Sequence, residues 1–295
     1  MTEGSELIAC SRLVDSETPP SKNAPRFTVV TPSLNCGRFL PRNLRSIESQ
    51  EVPGDWIEHW VIDGGSTDDT LRILAQHPRV QFVSEMDRGL SDAVNKGIRR
   101  AHGEWILWLN ADDELAPGAL RHFLDALDQF PSDRIFCGAQ KVFDYEGQLV
   151  GVTSGWDYRL PELLGPRTAI LQASTFVHRS VYETVGLLDE SFRYAMDYEW
   201  TVRAMHRFSC RPLPWVLTHY HWRRGSIMDA GIAGQHREFL RVRRQHGRSY
   251  FEPAEWRIRF YLATDCLRRN RELRKAVQRI KARLGFRSSG MPSVS

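Results

Sequence analysis

One apolar strand that ends in acidic residues constrains this chain more than any other segment. Residues 104–110 read Glu-Trp-Ile-Leu-Trp-Leu-Asn and lead directly into Ala111, Asp112 and Asp113. A polar, glycine-containing helical stretch at 87–98 precedes them. In an open α/β sheet, ligands bind outside the carboxyl ends of the strands. Two adjacent carboxylates at such an end suit a hard cation shared with substrate phosphates, so the segment predicts a metal–diphosphate site.

The residues before this strand alternate between strand-like and helix-like segments. Three further strands are predicted at 27–33, 57–63 and 80–84, with helical stretches between them. Ser66 or Thr67 is placed to cap the helix that follows the second strand. Strands that alternate with helices in this way predict βαβ units and a mostly parallel sheet.

Five motifs follow one another along the chain, at residues 31–35, 61–70, 87–98, 109–113 and 186–200, the last followed by Arg203. In this order and spacing they resemble the successive blocks of the inverting family 2 glycosyltransferases with a GT-A fold. The similarity extends from about Phe27 to Arg203. The resemblance implies an α/β fold of GT-A type, in which helices flank a mostly parallel nucleotide-binding sheet.

The candidate nucleotide site lies at the strand ends. Asp63 ends the second strand, where its carboxylate could accept hydrogen bonds from a ribose or a uracil; it could equally be a turn residue before two glycines. Arg88 and Asp92 could complete the pocket or form a solvated helix start, where an acid favours the helix dipole. With the resemblance, the full set of candidates is Thr31, Pro32, Ser33, Asn35, Asp63, Arg88, Asp92, Ala111 and Asp112.

The resemblance places a divalent cation, Mn²⁺ or Mg²⁺, on Asp112, with Asp113 either behind it in the outer shell of the site or as an alternate ligand. The family motif is usually written Asp-x-Asp, whereas its first position here is Asn110, which contributes no charge. The alternative interpretation is an acidic cap on a helix that begins near Pro117. Capping needs one acid and not three in a row, which favours the metal.

The resemblance also places the catalytic base on Asp197, with Glu199 in reserve. The sequence predicts that Asp197 begins a helix, where it would avoid burial and stay ionised; a plain N-cap is the compatible alternative. Residues 215–226 form a predicted loop that carries His219, His221, Arg223 and Arg224. These side chains could reach the metal or the diphosphate. If the segment is instead a strand, both histidines lie on one side of it.

Composition narrows the remaining choices. The five cysteines of the 295 residues lie far apart with no Cys-x-x-Cys pair, which argues against a disulfide framework or a zinc site and favours a reducing cytoplasm. The first residues lack the features of a secretory signal, and no apolar run reaches the length of a membrane span. No Gly-x-Gly-x-x-Gly follows the first strand, and neither a phosphate-binding loop motif nor a nucleophile-elbow motif is present.

Three regions are expected along the chain. Residues 1–25, rich in Ser, Thr, Pro and Glu, predict a disordered leader. Residues 26–250 would form the GT-A glycosyltransferase domain, divided into a nucleotide-sugar half at 26–115 and an acceptor half at 116–250. Residues 251–295 predict a basic amphipathic helical tail. From Glu255 onward it has eleven basic and three acidic residues, and its apolar stripe is Leu273, Val277, Ile280 and Leu284.

These features predict a metal-dependent inverting glycosyltransferase that moves a sugar from a nucleotide-sugar donor, of the UDP class, to a hydroxyl acceptor. From the family we expect a saccharide or lipid-linked acceptor in cell-surface polysaccharide or glycolipid assembly. The alternative, favoured only by Asn110, is a catalytically silent module that binds a sugar nucleotide or a partner. Nucleotidyl transfer is disfavoured because residues 31–38 contain no lysine. The expected location is the cytoplasm, and no nucleic-acid partner is expected.

We expect the tail to bring the protein to anionic membrane surfaces at the inner face of the plasma membrane, since each basic residue near such a surface contributes ~1 kcal/mol. The alternative is a helix that packs its apolar stripe on the catalytic domain. In liposome flotation, a chain truncated near Glu255 should lose salt-sensitive binding to anionic vesicles that the full chain shows. Equal flotation of both chains, or of neither, would mean that the tail is structural.

Overall fold

In the computed structural model of the chain, residues 24–165, 170–223 and 232–247 are described. Nearly all of the predicted leader and the whole of the predicted tail at 251–295 lie outside these residues. The predicted domain limits and the membrane role of the tail therefore stay predictions. Within the described residues, no helix is both long enough and apolar enough to cross a bilayer.

One mixed sheet organises the described residues. Its strands are β1 (Phe27–Ser33), β2 (Ile57–Asp63), β3 (Val80–Ser84), β4 (Trp105–Trp108), β5 (Glu114–Leu115), β6 (Ile135–Phe143), β7 (Leu149–Thr153), β8 (Thr175–His178) and β9 (Arg211–His221). The order is β3-β2-β1-β4-β8-β6-β9-β5, and β7 pairs with β6. The pairings make six of these described strands run in one direction, with β5, β7 and β8 reversed. The predicted mostly parallel α/β sheet is confirmed.

Helices flank this sheet. They are α1 (Leu40–Glu48), α2 (Thr70–Leu74), α3 (Leu90–Arg100), α4 (Ala119–Gln129), α5 (Leu160–Leu163), α6 (Arg179–Val185), α7 (Met196–Ala204) and α8 (Ile232–Gln245). On one face, Phe123 of α4 stacks on Phe176 with ring centroids 4.2 Å apart and meets Trp105 edge-on at 5.1 Å. This aromatic contact fixes β4, the strand that carries the acidic motif.

The register of the parallel strands brings their carboxyl ends together. Ser33 pairs with Asp63, and Asp63 pairs with Ser84. On the other side of β1, the backbone N–H of Leu109 donates to the Val30 carbonyl over 3.0 Å, so the acidic motif begins at the same edge of the sheet. The candidate nucleotide and metal residues therefore share one edge, as parallel strands require.

The structure contradicts one local prediction and decides one open alternative. Helix α2 begins at Thr70, and its start is held by the Asp68 carboxylate, which accepts from the Thr70 N–H over 3.0 Å. Ser66 and Thr67 do not cap it, because their side chains bind the preceding turn. For residues 215–226 the sequence left a loop and a strand open, and the segment is a strand as far as His221, because it pairs with both β6 and β5.

Helix α3 packs closely on β1 through a glycine. A Cβ atom at Gly97 would overlap the side chain of Val30, so the close approach requires the absence of a side chain. The same helix joins the two halves of the chain. The Asn95 side chain donates to the Leu188 carbonyl over 2.9 Å and accepts from the Leu188 N–H over 3.0 Å.

We expect Gly97→Ala to lower the free energy of unfolding by about 1–2 kcal/mol, because the overlap with Val30 outweighs the better helix propensity of alanine. Gly151→Ala on β7 is the matched control, since nothing lies within 4 Å of its added Cβ. Urea denaturation measures both. Equal stability of the two variants would contradict the close packing of α3 on β1.

Candidate active site

The carboxylate of Asp63 closes the turn after β2. Asp63 is fully buried, and its Oδ2 accepts from the Ser66 N–H over 2.9 Å and from the Ser84 hydroxyl over 2.7 Å. Its Oδ1 accepts from the Ser66 hydroxyl. These contacts are those of a turn residue, and a nucleotide would share a carboxylate that already has protein donors. The nucleotide role of Asp63 stays a prediction.

Asn35 joins the loop after β1 to the loop after β2. It adopts a left-handed conformation with φ of 51°, which asparagine tolerates better than most residues. Its backbone N–H donates to the Ser66 hydroxyl over 2.7 Å, and its side-chain oxygen accepts from the Thr67 N–H over 2.8 Å. Nearby, Thr31 is buried against His59 at 2.9 Å, and Pro32 and Ser33 are buried at the end of β1.

Arg88 and Asp92 form an ion pair at the start of α3. The two side chains are 3.1 Å apart, and the exposed Arg88 also pairs with Glu190, in the predicted acceptor half, at 2.7 Å. Burial alone would raise the pKa of Asp92, but hydrogen bonds from Arg88 and Lys96 lower it to about 2. The pair thus places a cation and an acid with a lowered pKa next to Glu190.

The loop that carries the acidic motif is held by a residue that sequence reasoning missed. Asn43 of α1 is buried, and its side-chain amide donates to the carbonyls of Asn110 and Asp113, each over 3.0 Å. Its signal in the sequence is a polar residue within the apolar stripe of α1, between Leu40 and Ile47. The Asn110 side chain accepts from the Trp108 indole over 2.8 Å, so its amide has a structural partner.

Asp112 pairs with an arginine from the end of β9. Its Oδ2 accepts from the Arg223 Nε over 2.8 Å, and the Arg223 guanidinium lies 5.4 Å from the centre of the Phe39 ring. Ala111 is buried beside it. The backbone carbonyl of Asp112 accepts from Arg42 over 3.0 Å. Arg223 is therefore at the acidic motif, whereas Arg224 lies outside the described residues.

Asp113 points into the protein. It is buried, and its Oδ1 accepts from the His221 N–H over 3.0 Å. Burial, and then the charge of Asp112, raise the pKa of Asp113 well above its usual range. The His221 ring lies 2.7 Å from Glu114, which also pairs with Arg42 at 2.9 Å. Of the two motif aspartates, Asp112 thus pairs with a partly exposed guanidinium, whereas Asp113 is buried.

His219 and His221 lie on the same side of β9. Both rings contact Phe143, with centroids 5.4 Å and 4.8 Å away. The predicted shared side is confirmed. The contact of His221 with Glu114 directs this histidine to the acid next to the motif.

The acidic motif fits a cation that is shared with a ligand. Among the described residues, no group of three or more His, Cys, Asp or Glu side chains could hold a metal ion by itself. Sites for Mg²⁺ often use one or two protein carboxylates and complete the shell with substrate phosphates and water. Asp112 offers such a carboxylate at the surface of the motif, and Asp113 stands behind it.

Asp197 lies in the first turn of α7, one residue after the helix begins at Met196. Burial raises its pKa to about 6, although the Tyr198 N–H donates to it over 2.8 Å. The predicted helix start is thus correct to within one residue, and a pKa of about 6 leaves Asp197 ionised at neutral pH, but the expectation that Asp197 avoids a burial cost is wrong. Since the folded pKa exceeds that of an unfolded aspartate, ionisation of Asp197 costs stability as the pH rises toward and past 6.

Glu199, the reserve candidate, has a structural partner. Its carboxylate accepts two hydrogen bonds from Arg203, over 2.6 Å and 2.9 Å. Arg203 also donates to the carbonyls of Val185 and Leu187, so the pair ties α7 to the loop after α6. This geometry leaves Asp197 as the acid of the first turn of α7 without a paired cation among the described residues.

The pKa of Tyr220 on β9 responds both to the base candidate and to the acidic motif. Burial raises its pKa, and the charges of Asp113, Asp112 and Asp197 raise it further. Both acidic groups therefore lie within electrostatic range of this one residue on β9.

The loop before Asp197 is held by Glu238 of α8, whose carboxylate accepts from the backbone N–H groups of residues 193–195 over 2.8–3.0 Å. No local sequence pattern marks Glu238.

Comparison with known proteins decides the family. Residues 28–186 match the family described as Glycosyl transferase family 2, which is more than half of the chain. The chain belongs to this family.

Two curated relatives illustrate the range of the family. The chain is 32% identical over 187 residues to a chondroitin synthase of Escherichia coli, and the match covers 62% of this chain but only 27% of the relative. It is 31% identical over 204 residues to a PGL/p-HBAD biosynthesis glycosyltransferase of Mycobacterium bovis, covering 67% of this chain and 74% of the relative. The chain thus spans about a quarter of the first relative and about three quarters of the second.

Solved structures confirm the GT-A-type fold. Residues 1–349 of S. aureus TarS, in complex with UDP-GlcNAc, match with a TM-score of 0.60 at 20% identity, covering 82% of this chain and 72% of that one. The mannosyltransferase PcManGT from Pyrobaculum calidifontis, in complex with GDP-Man and Mn²⁺, matches with a TM-score of 0.56 at 18% identity, covering 92% and 84%. At these identities the likeness concerns the fold.

Proposed function

We propose that the protein is a metal-dependent inverting glycosyltransferase that moves a sugar from a UDP-sugar to an acceptor hydroxyl. One observation carries the proposal. The charges of Asp112, Asp113 and Asp197 all raise the pKa of Tyr220, so the acidic motif after β4 and the acid in the first turn of α7 both act on the same strand end, and burial raises the pKa of Asp197 itself to about 6. The relatives that bind UDP-GlcNAc or GDP-Man support a nucleotide-sugar donor.

The donor would lie along the edge formed by the ends of β1, β2 and β4. In this proposal, the first two strands and their loops contact the base and ribose through Thr31, Pro32, Ser33, Asn35 and Asp63. Arg88 and Asp92 would close the far side, and Ala111 would line the floor. Asp112 would hold Mn²⁺ or Mg²⁺, with Asp113 behind it. When bound, the cation compensates the charge that develops on the departing diphosphate.

Asp197 would accept the proton of the acceptor hydroxyl. A general base acts best when its pKa lies near the working pH, and burial places that of Asp197 at about 6. Attack by a hydroxyl activated by a single base, opposite the departing diphosphate, inverts the configuration of the anomeric carbon. The motif Asn110, which accepts from Trp108, would keep the loop in place without contributing charge.

The acceptor class follows from the relatives only as a proposal. One acts in chondroitin synthesis and another in PGL/p-HBAD biosynthesis, by name. We therefore infer a saccharide or lipid-linked acceptor in polysaccharide or glycolipid assembly. A cytoplasmic enzyme that reaches the inner face of the plasma membrane through its basic tail would suit a lipid-linked acceptor.

A panel of nucleotide sugars, incubated with the protein and either Mn²⁺ or Mg²⁺, tests the proposal by release of the nucleoside diphosphate. We expect turnover with at least one UDP-sugar and its loss on chelation of the metal.

Asp112→Ala should lower turnover to less than about a tenth and remove metal-dependent UDP binding, because it removes the charge compensation. Asp128→Ala, on the exposed face of α4, is the matched control. Retained Mn²⁺-dependent turnover in Asp112→Ala would contradict the metal assignment. Absence of turnover with every donor would favour the silent binding module.

Asp197→Asn should lower turnover by roughly 10²–10⁴-fold and leave UDP affinity nearly unchanged, because asparagine keeps the shape but cannot accept the proton. In the unsubstituted protein, kcat/KM should fall as the pH decreases below about 6, where Asp197 becomes protonated. A donor-to-acceptor transfer assay across pH 5–8 measures both effects. A nearly unchanged Asp197→Asn together with an inactive Glu199→Gln would place the base two residues later.

A further inference from the structure

Arg223 is hydrogen-bonded to Asp112, the carboxylate that would hold the cation in the proposed function. Its Nε lies 2.8 Å from Asp112 Oδ2, within hydrogen-bond distance. The Asp112 side chain is 16% exposed and that of Arg223 is 33% exposed, so the pair is partly shielded from water but accessible to a ligand. A guanidinium in this position is a cation in contact with the predicted metal ligand.

Arg223 is positioned by contacts on both sides. The backbone N–H of the preceding residue, Trp222, donates to the Phe143 carbonyl over 2.9 Å, which continues the pairing of β9 with β6. The guanidinium lies 5.4 Å from the centre of the Phe39 ring, just before α1. A cation over an aromatic face is attracted to it. Arg223 thus joins the end of β9 to the loop after β4 through Asp112, and to the loop after β1 through Phe39.

The second arginine at the motif has a different task. Arg42 pairs with Glu114 at 2.9 Å and reaches Asp112 only at the backbone carbonyl, over 3.0 Å. Its charge is therefore balanced by Glu114. Among the described residues, Arg223 is the cation that contacts the Asp112 carboxylate. A divalent ion that approached this oxygen would meet the positive charge of Arg223 at close range, where repulsion is strong.

A diphosphate offers Arg223 another partner. Guanidinium groups bind phosphate oxygens through two parallel hydrogen bonds, and such charge-assisted contacts are stronger than neutral ones. We propose that Arg223 is an exchangeable counter-ion, which covers Asp112 until the diphosphate of the donor arrives and then passes to that diphosphate. This inference rests on the proposed donor and cation at this site.

The exchange has a thermodynamic consequence. Because the diphosphate draws Arg223 away from Asp112, the nucleotide should increase the affinity for the metal, and the metal must increase the affinity for the nucleotide by the same factor. The metal alone should bind weakly, since it competes with Arg223. The enzyme would then load its cation together with the donor and hold little of it beforehand.

Isothermal titration calorimetry of the full chain tests the exchange without any turnover. Mn²⁺ is titrated alone and in the presence of UDP, and UDP is titrated without metal. In Arg223→Gln, we expect Mn²⁺ alone to bind about tenfold tighter, UDP alone to bind more weakly, and the enhancement of Mn²⁺ binding by UDP to shrink about tenfold, within the range usual for coupled ligands. Arg223→Lys keeps the charge without the planar group, so its affinities should lie between those of the unsubstituted protein and of Arg223→Gln.

Arg38→Gln is the matched control. Arg38 is exposed, and its guanidinium lies over the same Phe39 ring at 5.7 Å, but it has no contact with Asp112 among the described atoms. This variant should bind Mn²⁺ like the unsubstituted protein. Unchanged Mn²⁺ affinity in Arg223→Gln, or an equal increase in both glutamine variants, would overturn the exchange while metal and UDP still bind. If the unsubstituted protein bound neither UDP nor Mn²⁺ with UDP, the proposed function would fail, and the exchange with it.

Discussion

The crowding of acidic groups after β4 is the constraint on which the rest of the site depends. Three acids follow one another at 112–114, and like charges at such spacing repel unless cations or donors compensate them. Each acid is compensated differently. Asp112 pairs with Arg223, and the buried Asp113 accepts from a backbone N–H. Glu114 contacts both Arg42 and His221. Helix α1 and the end of strand β9 therefore both contact this one loop.

The parts of this site that the sequence predicts are the local ones. The alternation of strands and helices places the ends of β1, β2 and β4 at one edge. The motif after β4 is recognisable in the sequence because Asp112, Asp113 and Glu114 follow one another. The pairing of His219 and His221 on one side also follows from period-two geometry. These features depend on neighbours in the chain, which sequence periodicity reports directly.

The parts that the sequence does not predict depend on distant partners. Asn43 reaches the motif from about seventy residues away, and Glu238 holds the loop before Asp197 from more than forty residues away. Neither residue type indicates its partner. The burial of Asp197 has the same origin, because the surroundings that raise its pKa are assembled from elements far apart in the chain. The prediction that Ser66 or Thr67 caps α2 is wrong because their hydroxyls have other partners. The Ser66 hydroxyl donates to Asp63, and the Thr67 hydroxyl donates to Asn35.

The joint between the two halves is made by an amide that recognises backbone. Asn95 both donates to and accepts from the main chain of Leu188, and neither contact involves the side chain at position 188. A different apolar side chain at position 188, which is buried in the core, would therefore leave the hydrogen bonds to α3 in place. Such a joint would let a lineage repack the core around position 188 while this segment keeps its alignment with α3.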